Sequence, residues 1–323
     1  MTPPQLKDSI PQAYQSDGQQ QRWRNILKLI VKLTVTVLCL WYISTKIDWT
    51  LTLHLFQQSN KWWLVLAAVL FILSKIISAF RLNKFFKNIG VQLYETVNVK
   101  LYWVGMFYNL FLPGGIGGDA YKVILLNRQK DYGNPGIKLL SAAVLLDRIS
   151  GVIGLALLAS IYFFFISADR NILSWLGIAI VPGLLVYYFT VKKIFPTFLS
   201  AFTSTLLLGL LVQVLQVLCA YCIMASIEIK EHQSEYIFIF LLSSVVAILP
   251  FTIGGLGARE VVFLWGSNLF FLDKHQSIYI SILFYIITVV VSLVGLRWSL
   301  SPQTLIKDDG FTKAPSQREG GKV

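Results

Sequence analysis

The sequence predicts an all-α, polytopic membrane protein with six spanning helices and two re-entrant hairpins arranged as an inverted repeat. Three observations carry this prediction. Of the 323 residues, 55% are hydrophobic and only 14% are charged, whereas soluble proteins carry about 25% charged residues. Apolar runs of about 20 residues, the length that crosses a bilayer as a helix, recur along the chain. A glycine cluster inside an apolar stretch also occurs twice, at positions 114–118 and 254–258.

One transmembrane domain, residues 27–298, is expected between two polar tails. The tails, 1–26 and 299–323, are rich in Gln, Ser, Lys and Gly and are too short to bury a core. The first tail lacks the pattern of a cleaved signal peptide, so the first apolar helix is expected to direct insertion. Six segments are long enough to span the membrane: 29–45, 62–80, 139–167, 172–191, 199–227 and 277–298.

Two pairs of shorter apolar segments flank the glycine clusters. The first pair is 100–112 and 120–126, and the second is 236–249 and 261–272. Apolar segments of about 10–14 residues fit re-entrant hairpins better than full spans. Irregular backbone at membrane depth is tolerated only where protein or a water-filled cavity surrounds it.

The hairpins divide the domain into two repeats, 27–167 and 172–298. Each repeat contains three spans, and because three is an odd number the second repeat must be inverted relative to the first. Paired, Gly/Pro-interrupted hydrophobic segments at matching positions of two halves mark the substrate site of inverted-repeat transporters. Both glycine turns are therefore expected near the bilayer midplane.

Basic residues predict the orientation of the chain. With the N-terminus inside, the predicted inner segments hold 17 Lys and Arg residues and the outer segments hold five. The positive-inside rule then places both termini in the cytoplasm. The net charge of +12 does not indicate nucleic-acid binding, because the basic residues lie in short loops between apolar spans.

The glycine clusters are the first candidate site. Glycine permits positive φ, successive N–H groups in such a turn bind anions, and the following helix directs its N-terminal dipole at the same place. The alternative is close packing of the hairpin arms without a ligand. Predicted substrate-binding glycines are Gly114, Gly115, Gly117, Gly118, Gly254, Gly255 and Gly257.

Charged residues at membrane depth are the second candidate. Adjacent residues on a helix point about 100° apart, so neither Asp147 with Arg148 nor Arg259 with Glu260 is expected to form an internal salt bridge. Asp147 and Arg148 are expected to find partners elsewhere, and Asp119, Arg259 and Glu260 are the available ones. Arg148 and Arg259 are predicted to bind a lipid phosphate, because the guanidinium fork matches phosphate oxygens. Asp119, Asp147 and Glu260 are predicted to balance charge or relay protons. A purely structural network that joins the repeats fits the same residues.

Three finer expectations concern single polar residues. Asp119 is expected either to cap the helix that starts at Ala120 or to pair with an arginine from the other half. Lys75 lies near the predicted end of a span, as do Lys28 and Lys32, so each is expected to snorkel to the cytoplasmic surface. Asn109 is a polar group at depth and needs a hydrogen-bond partner.

No catalytic, metal or cofactor site is predicted. The sequence lacks G-x-S-x-G, H-E-x-x-H and P-loop motifs. The three histidines are scattered, and Cys219 and Cys222 fall within an apolar span, where they are expected to be buried as small apolar side chains.

Three stretches resemble a known family. They are residues 109–119 (NLFLPGGIGGD), 146–151 (LDRISG) and 250–260 (PFTIGGLGARE). The chain resembles, over roughly residues 25–300, the transmembrane region of lysylphosphatidylglycerol synthetases and its stand-alone, flippase-like relatives. In the synthetases this unit is followed by a soluble aminoacyl-transferase domain, which has no counterpart in this sequence. The resemblance therefore implies lipid translocation more than lysine transfer.

The expected function is movement of an anionic phospholipid, or of a glycosylated or polyprenyl lipid, between leaflets of the plasma (inner) membrane of a bacterium or archaeon, with membrane lipids as the partners. One alternative is a membrane subunit of a lipid-modifying transferase whose catalytic partner is encoded separately. That reading needs a general base, for which only Asp119, Asp147 and Glu260 qualify. Another alternative is a scaffold in an envelope complex.

Overall fold

The computed structural model describes residues 49–111, 115–128, 135–166, 170–248 and 255–300, together with residue 252 and seven further positions between 27 and 45. The predicted span 29–45 and both predicted tails lie largely outside these residues. The described chain is helical, without strands. Its α-helices are α1 (Trp49–Gln58), α2 (Lys61–Asn88), α3 (Glu95–Phe111), α4 (Gly117–Arg128), α5 (Gly136–Ile166), α6 (Arg170–Ile194), α7 (Phe202–Ala225), α8 (Gln233–Ile248), α9 (Ala258–Leu269) and α10 (Lys274–Ser299).

Four stretches are long and apolar enough to cross a membrane. They are α2, α5, α10, and α7 together with the 3₁₀ helix Pro196–Ala201 that precedes it, and they contain 28, 31, 26 and 30 residues. Their predicted counterparts are therefore present, and α6 occupies the predicted span 172–191. Outward-facing leucines, isoleucines and phenylalanines are numerous on these helices, as a lipid environment requires. The protein is a polytopic membrane protein.

The two predicted hairpins are pairs of shorter helices. Helices α3 and α4 contain 17 and 12 residues and pack on each other, and α8 and α9 contain 16 and 12 residues and do the same. At 1.5 Å per residue, a 12-residue arm extends about 18 Å, which is short of the ~30 Å hydrocarbon core. At the turns, Gly115 and Gly255 have φ of +62° and +79°, a conformation that glycine adopts without strain.

The helices of the second half repeat the order of the first. Helices α2, α3, α4 and α5 run long, medium, short and long, and α7, α8, α9 and α10 repeat this order in the second half. Contacts between the halves are reciprocal: α2 packs on α7, α3 packs on α10, and α8 packs on α5. Reciprocity of this kind is the mark of a two-fold relation between interacting units.

Small residues bring helices into backbone contact. A Cβ atom on Gly118 of α4 would lie 1.8 Å from the carbonyl oxygen of Gly105 in α3. A Cβ atom on Gly295 of α10 would lie 2.2 Å from the carbonyl oxygen of Trp103. Close approach through small residues is the usual means by which helices associate in lipid. The first contact fixes the arms of the first hairpin, and the second fixes that hairpin to the other half.

We predict that Gly118→Ala strongly destabilises the protein. The new methyl group would overlap the backbone of Gly105, which cannot move without displacing all of α3, and overpacking costs about 1–3 kcal/mol or more. The measurement is the thermal unfolding midpoint in detergent. Gly183→Ala is the matched control, because a Cβ atom at Gly183 of α6 would meet nothing within 4 Å. Equal midpoints for the two variants would contradict the contact.

Candidate functional site

A cavity of about 330 Å³ lies between the two halves. Every helix from α2 to α5 and from α7 to α10 contributes to its wall, as do the turn residues Gly115, Thr252 and Gly255. Polar groups interrupt an otherwise apolar lining, which is the usual character of a binding cavity. Because the matched turns of both hairpins line one space, the two halves share a single candidate site.

Positive charges outnumber negative charges in this cavity. Among the described lining residues, the cationic side chains are Lys75, Arg81, Lys122, Arg148 and Arg259, and the carboxylates are Asp119 and Asp147. Two of these cations, Arg148 and Arg259, are predicted from the sequence as ligands of a phosphate. Charges at membrane depth are costly and usually face a pathway or a partner, so this excess is the main electrostatic property of the site.

Asp119 joins three parts of the first half. Its Oδ1 atom accepts a hydrogen bond from Lys122 Nζ at 3.2 Å, and its Oδ2 atom accepts one from Arg148 Nε. Arg148 Nη2 also donates to the backbone carbonyl of Gly115 in the turn. Arg148 thus pairs with Asp119, one of its expected partners, but the expected pairing of Asp119 with an arginine of the other half is wrong, because these ion pairs tie the first hairpin to α5 within one half. Asp119 is the third residue of α4, so the alternative prediction that it caps a helix starting at Ala120 is also wrong.

Asp147 pairs with Arg81, a residue that is not among the sequence-predicted site residues. Arg81 Nε lies 2.7 Å from Asp147 Oδ1, and the two side chains are only 6% and 9% exposed. The sequence assigns Arg81 to the loop after the predicted span 62–80, but α2 continues to Asn88 and carries Arg81 inside. The signal that could have found it is helical spacing, since Lys75, Ser78 and Arg81 recur at intervals of three on one face of α2 and all line the cavity.

Lys75 also belongs to the cavity, so the prediction that it snorkels is wrong. Its Nζ atom lies 4.5 Å from the centroid of the Phe71 ring, within cation–π range. Helix α2 continues beyond Lys75 as far as Asn88, which places the ammonium group well inside the helix rather than at its end. Lys28 and Lys32 lie outside the described residues.

Arg259 is held by aromatic rings and a hydroxyl group. Its guanidinium carbon lies 4.5 Å from the centroid of Phe284 and 5.4 Å from that of Phe240. Its Nη2 atom donates to Ser244 Oγ at 2.6 Å, while its buried Nε has no partner among the described residues. Arg259 lines the cavity without an ion-pair partner in the described chain.

Glu260 lies beside Arg259 in sequence but outside the cavity lining. Its Oε2 atom accepts the backbone N–H of Gly257 at 2.8 Å, and its Oε1 atom accepts the hydroxyl group of Ser281 at 2.9 Å. The first contact is the return half of a capping box and favours the start of α9. The structure therefore gives Glu260 a capping geometry, and the two adjacent charged pairs interact with other groups, as the sequence indicated.

Only some of the predicted substrate-binding glycines line the cavity. Gly115 and Gly255 line the cavity, and Gly117 is the first residue of α4. The Gly118 N–H donates to Asn109 Oδ1 at 2.8 Å, which supplies the partner that Asn109 was expected to need. Gly114 and Gly254 lie outside the described residues.

Cys219 and Cys222 are free and buried, and no group of three potential metal ligands occurs in the described chain.

We predict that Asp147→Ala destabilises the protein by about 3–5 kcal/mol, because removal of one partner leaves a buried, uncompensated charge on Arg81. The exposed pair of Lys87 and Glu95, 2.8 Å apart, supplies the control: Glu95→Ala should cost less than ~1 kcal/mol. Unfolding midpoints in detergent measure both effects. Similar losses in the two variants would show that the Arg81–Asp147 pair is not structural.

Comparison with known proteins places this architecture in a family. The chain is 27% identical over 171 residues to a UPF0104 membrane protein of Pyrococcus horikoshii. This match covers 52% of the chain and 49% of that relative, so the aligned region spans about half the length of the relative. The family model described as "Lysylphosphatidylglycerol synthase TM region" matches residues 29–295, which include every residue that lines the cavity and both glycine turns. The chain belongs to the family of lysylphosphatidylglycerol synthase transmembrane regions.

Proposed function

We propose that the protein translocates an anionic phospholipid, or a glycosylated or polyprenyl lipid, between leaflets. The observation that carries this proposal is the shared cavity, in which five cationic and two carboxylate side chains from the described residues line one space between two similar halves. A lipid headgroup would enter the cavity while the acyl or prenyl tails stay in the bilayer. Arg148 and Arg259 would bind its phosphate, because guanidinium groups suit phosphate oxygens.

The proposed transport mechanism requires that the two halves form an inverted repeat. Repeats 27–167 and 172–298 would form one domain, with α3–α4 and α8–α9 as re-entrant hairpins. The reciprocal contacts of α3 with α10 and of α8 with α5 agree with a two-fold axis, and an odd number of spans in each repeat would set that axis in the membrane plane. Rocking of one half against the other would then expose the cavity to each side in turn.

The alternative as a membrane subunit of a transferase receives less support. Asp119 accepts hydrogen bonds from Lys122 and Arg148, Asp147 accepts one from Arg81, and both Glu260 oxygens are engaged. A general base needs an oxygen within reach of the substrate proton, and of these three carboxylates only Asp147, which accepts from Arg81 at Oδ1, keeps an oxygen outside these contacts. These contacts fit charge balance better than base catalysis, so a separately encoded transferase would have to supply the reactive groups.

We predict that Arg259→Gln abolishes leaflet exchange without loss of folding. The substitution keeps a polar side chain but removes one of the two described cations, Lys75 and Arg259, that line the cavity without a carboxylate partner. The measurement is exchange of fluorescent anionic lipids in proteoliposomes, with monodispersity checked by size exclusion. Lys84→Gln, an exposed lysine on α2, is the control and should exchange lipid like the wild type. A folded Arg259→Gln variant with full exchange would overturn the assignment of this residue.

We predict that residue 230 faces the outside and residue 87 the cytoplasm, as expected for a plasma-membrane protein with both termini inside. Both lysines are exposed, and the excess of basic residues assigns the second to the inner side. Lys230→Cys and Lys87→Cys, each in a background without Cys39, Cys219 and Cys222, would be labelled in intact cells with a membrane-impermeant maleimide. Only Lys230→Cys should react before permeabilisation, and the reverse pattern would invert the topology.

A further inference from the structure

The charges that line the cavity do not neutralise one another. Among the described residues, Asp147 pairs with Arg81, and Asp119 is shared by Lys122 and Arg148. No described carboxylate lies within 4 Å of Lys75 or Arg259, although both line the same space. Five cations and two carboxylates line the cavity, a formal excess of three positive charges in the lining, and the buried carboxylate of Glu260 outside it is engaged by Gly257 and Ser281. Each uncompensated charge there costs about 2.5–3.5 kcal/mol on insertion scales.

The imbalance arises from a difference between the two halves. Alignment of the two glycine clusters pairs Asp119 of the first turn with Arg259 of the second, and Arg148 of α5 with Thr288 of α10. The first half therefore neutralises its own arginine through Asp119 and fastens its hairpin to α5. The second half has a cation where the first has a carboxylate, and a hydroxyl group where the first has a cation.

One aromatic cluster orients the two unpaired cations. The rings of Phe71 and Phe284 meet edge-to-face with centroids 5.4 Å apart, and Phe240 meets Phe284 at 4.8 Å. Lys75 Nζ lies over Phe71 and the Arg259 guanidinium lies over Phe284, each 4.5 Å from the ring centroid. Aromatic faces attract cations but leave their charge intact, so Lys75 and Arg259 are held beside one another in the fold and still require an anion.

Buried hydrogen-bond donors in the same wall lack partners. Arg81 Nη1, Arg259 Nε and Thr252 Oγ1 have none among the described residues, and these side chains are 5%, 7% and 3% exposed. A buried donor without a partner costs about 1–3 kcal/mol. All three residues line the cavity, so its wall bears this cost in addition to that of the unpaired cations.

We infer that the headgroup bound in this cavity carries two or more negative charges, as a lipid phosphate monoester or diphosphate does, and that Lys75 and Arg259, the two lining cations without a carboxylate partner, contact it together with Arg148. This inference rests on the proposed function and specifies its substrate class. A phosphodiester headgroup with one charge would leave two positive charges uncompensated. A lysylated phosphatidylglycerol headgroup, with two amino groups and one phosphate, would add net positive charge to a cationic cavity, so such a lipid is disfavoured here.

The test compares headgroups on identical acyl chains. Wild-type protein in detergent would be titrated with dioleoyl phosphatidic acid, phosphatidylglycerol, phosphatidylcholine and lysylphosphatidylglycerol, and binding followed by native mass spectrometry. Phosphatidic acid should bind about ten-fold more tightly than phosphatidylglycerol, the effect of one further charge-assisted hydrogen bond. Phosphatidylcholine and lysylphosphatidylglycerol should bind more weakly still. Equal or tighter binding of phosphatidylglycerol or lysylphosphatidylglycerol would overturn the inference.

Variants test the two contacts. Lys75→Gln and Arg259→Gln should each weaken phosphatidic acid binding about ten-fold and reduce the ratio of phosphatidic acid to phosphatidylglycerol affinity. Lys84→Gln removes an exposed charge from the same helix as Lys75 and should leave that ratio unchanged. A double variant of Lys75 and Arg259 that keeps the wild-type ratio would show that other residues select the headgroup.

Two further experiments distinguish a lipid ligand from a soluble anion, and headgroup selectivity from translocation. Inorganic pyrophosphate should stabilise the protein far less than phosphatidic acid, and equal stabilisation would identify a soluble anion instead of a lipid. Exchange of the same lipids in proteoliposomes tests the proposed function independently. Selective binding of phosphatidic acid without exchange would support the headgroup inference and refute translocation. Rapid exchange of phosphatidylglycerol without that selectivity would support translocation and refute the headgroup inference.

Discussion

The need to compensate charge inside an apolar molecule governs the architecture of this protein. Arg81 and Asp147 form a buried ion pair between α2 and α5, 2.7 Å apart, and Asp119 links α4 to α5 through Arg148. Such pairs are weak sources of stability, because desolvation offsets the attraction, but they are strongly directional. They therefore fix how the helices of the first half are arranged around the cavity. The glycine contacts and the reciprocal packing of the halves all lie around this charged centre.

The same constraint explains which side chains approach the ion pairs. A Cβ atom on Gly151 or Gly209 would lie 3.4 Å or 3.3 Å from Arg81 Nη1, so these glycines of α5 and α7 leave room for the guanidinium group. Gly209 also approaches the carbonyl oxygen of Ser150, where a Cβ atom would lie 3.0 Å away. Small residues here serve two purposes at once: they let α5 and α7 approach closely, and they accommodate a large buried cation.

Much of this organisation can be predicted from the sequence, because the bilayer sets the length of the apolar helices and makes charged residues within them conspicuous. Apolar length predicts the long helices α2, α5, α7 and α10, and the paired glycine clusters predict the turns between α3 and α4 and between α8 and α9. Arg148, Arg259, Asp119 and Asp147 stand out as charges at depth, and all four line the cavity. A charge in an apolar run is a strong signal because it is costly there.

The sequence is less informative where a helix continues beyond its apolar segment. Lys75 and Arg81 resemble residues at a membrane surface, but α2 extends to Asn88 and turns both side chains toward the cavity. Pairings between helices are also hidden, and only the packing of α2 on α5 decides that Asp147 meets Arg81 rather than Arg259.

The attachments of the hairpins determine which parts of the molecule are able to move. Arg148 fastens the first hairpin to α5, and the hydroxyl group of Ser281 fastens the start of α9 to α10 through Glu260. Each hairpin is thus joined by side-chain contacts to the long helix that follows it. A displacement that kept these contacts would have to change the packing of α2 on α7, of α3 on α10 and of α5 on α8, including the close contact of Gly295 with Trp103. The hairpin turns would therefore travel with their own halves rather than open as independent flaps.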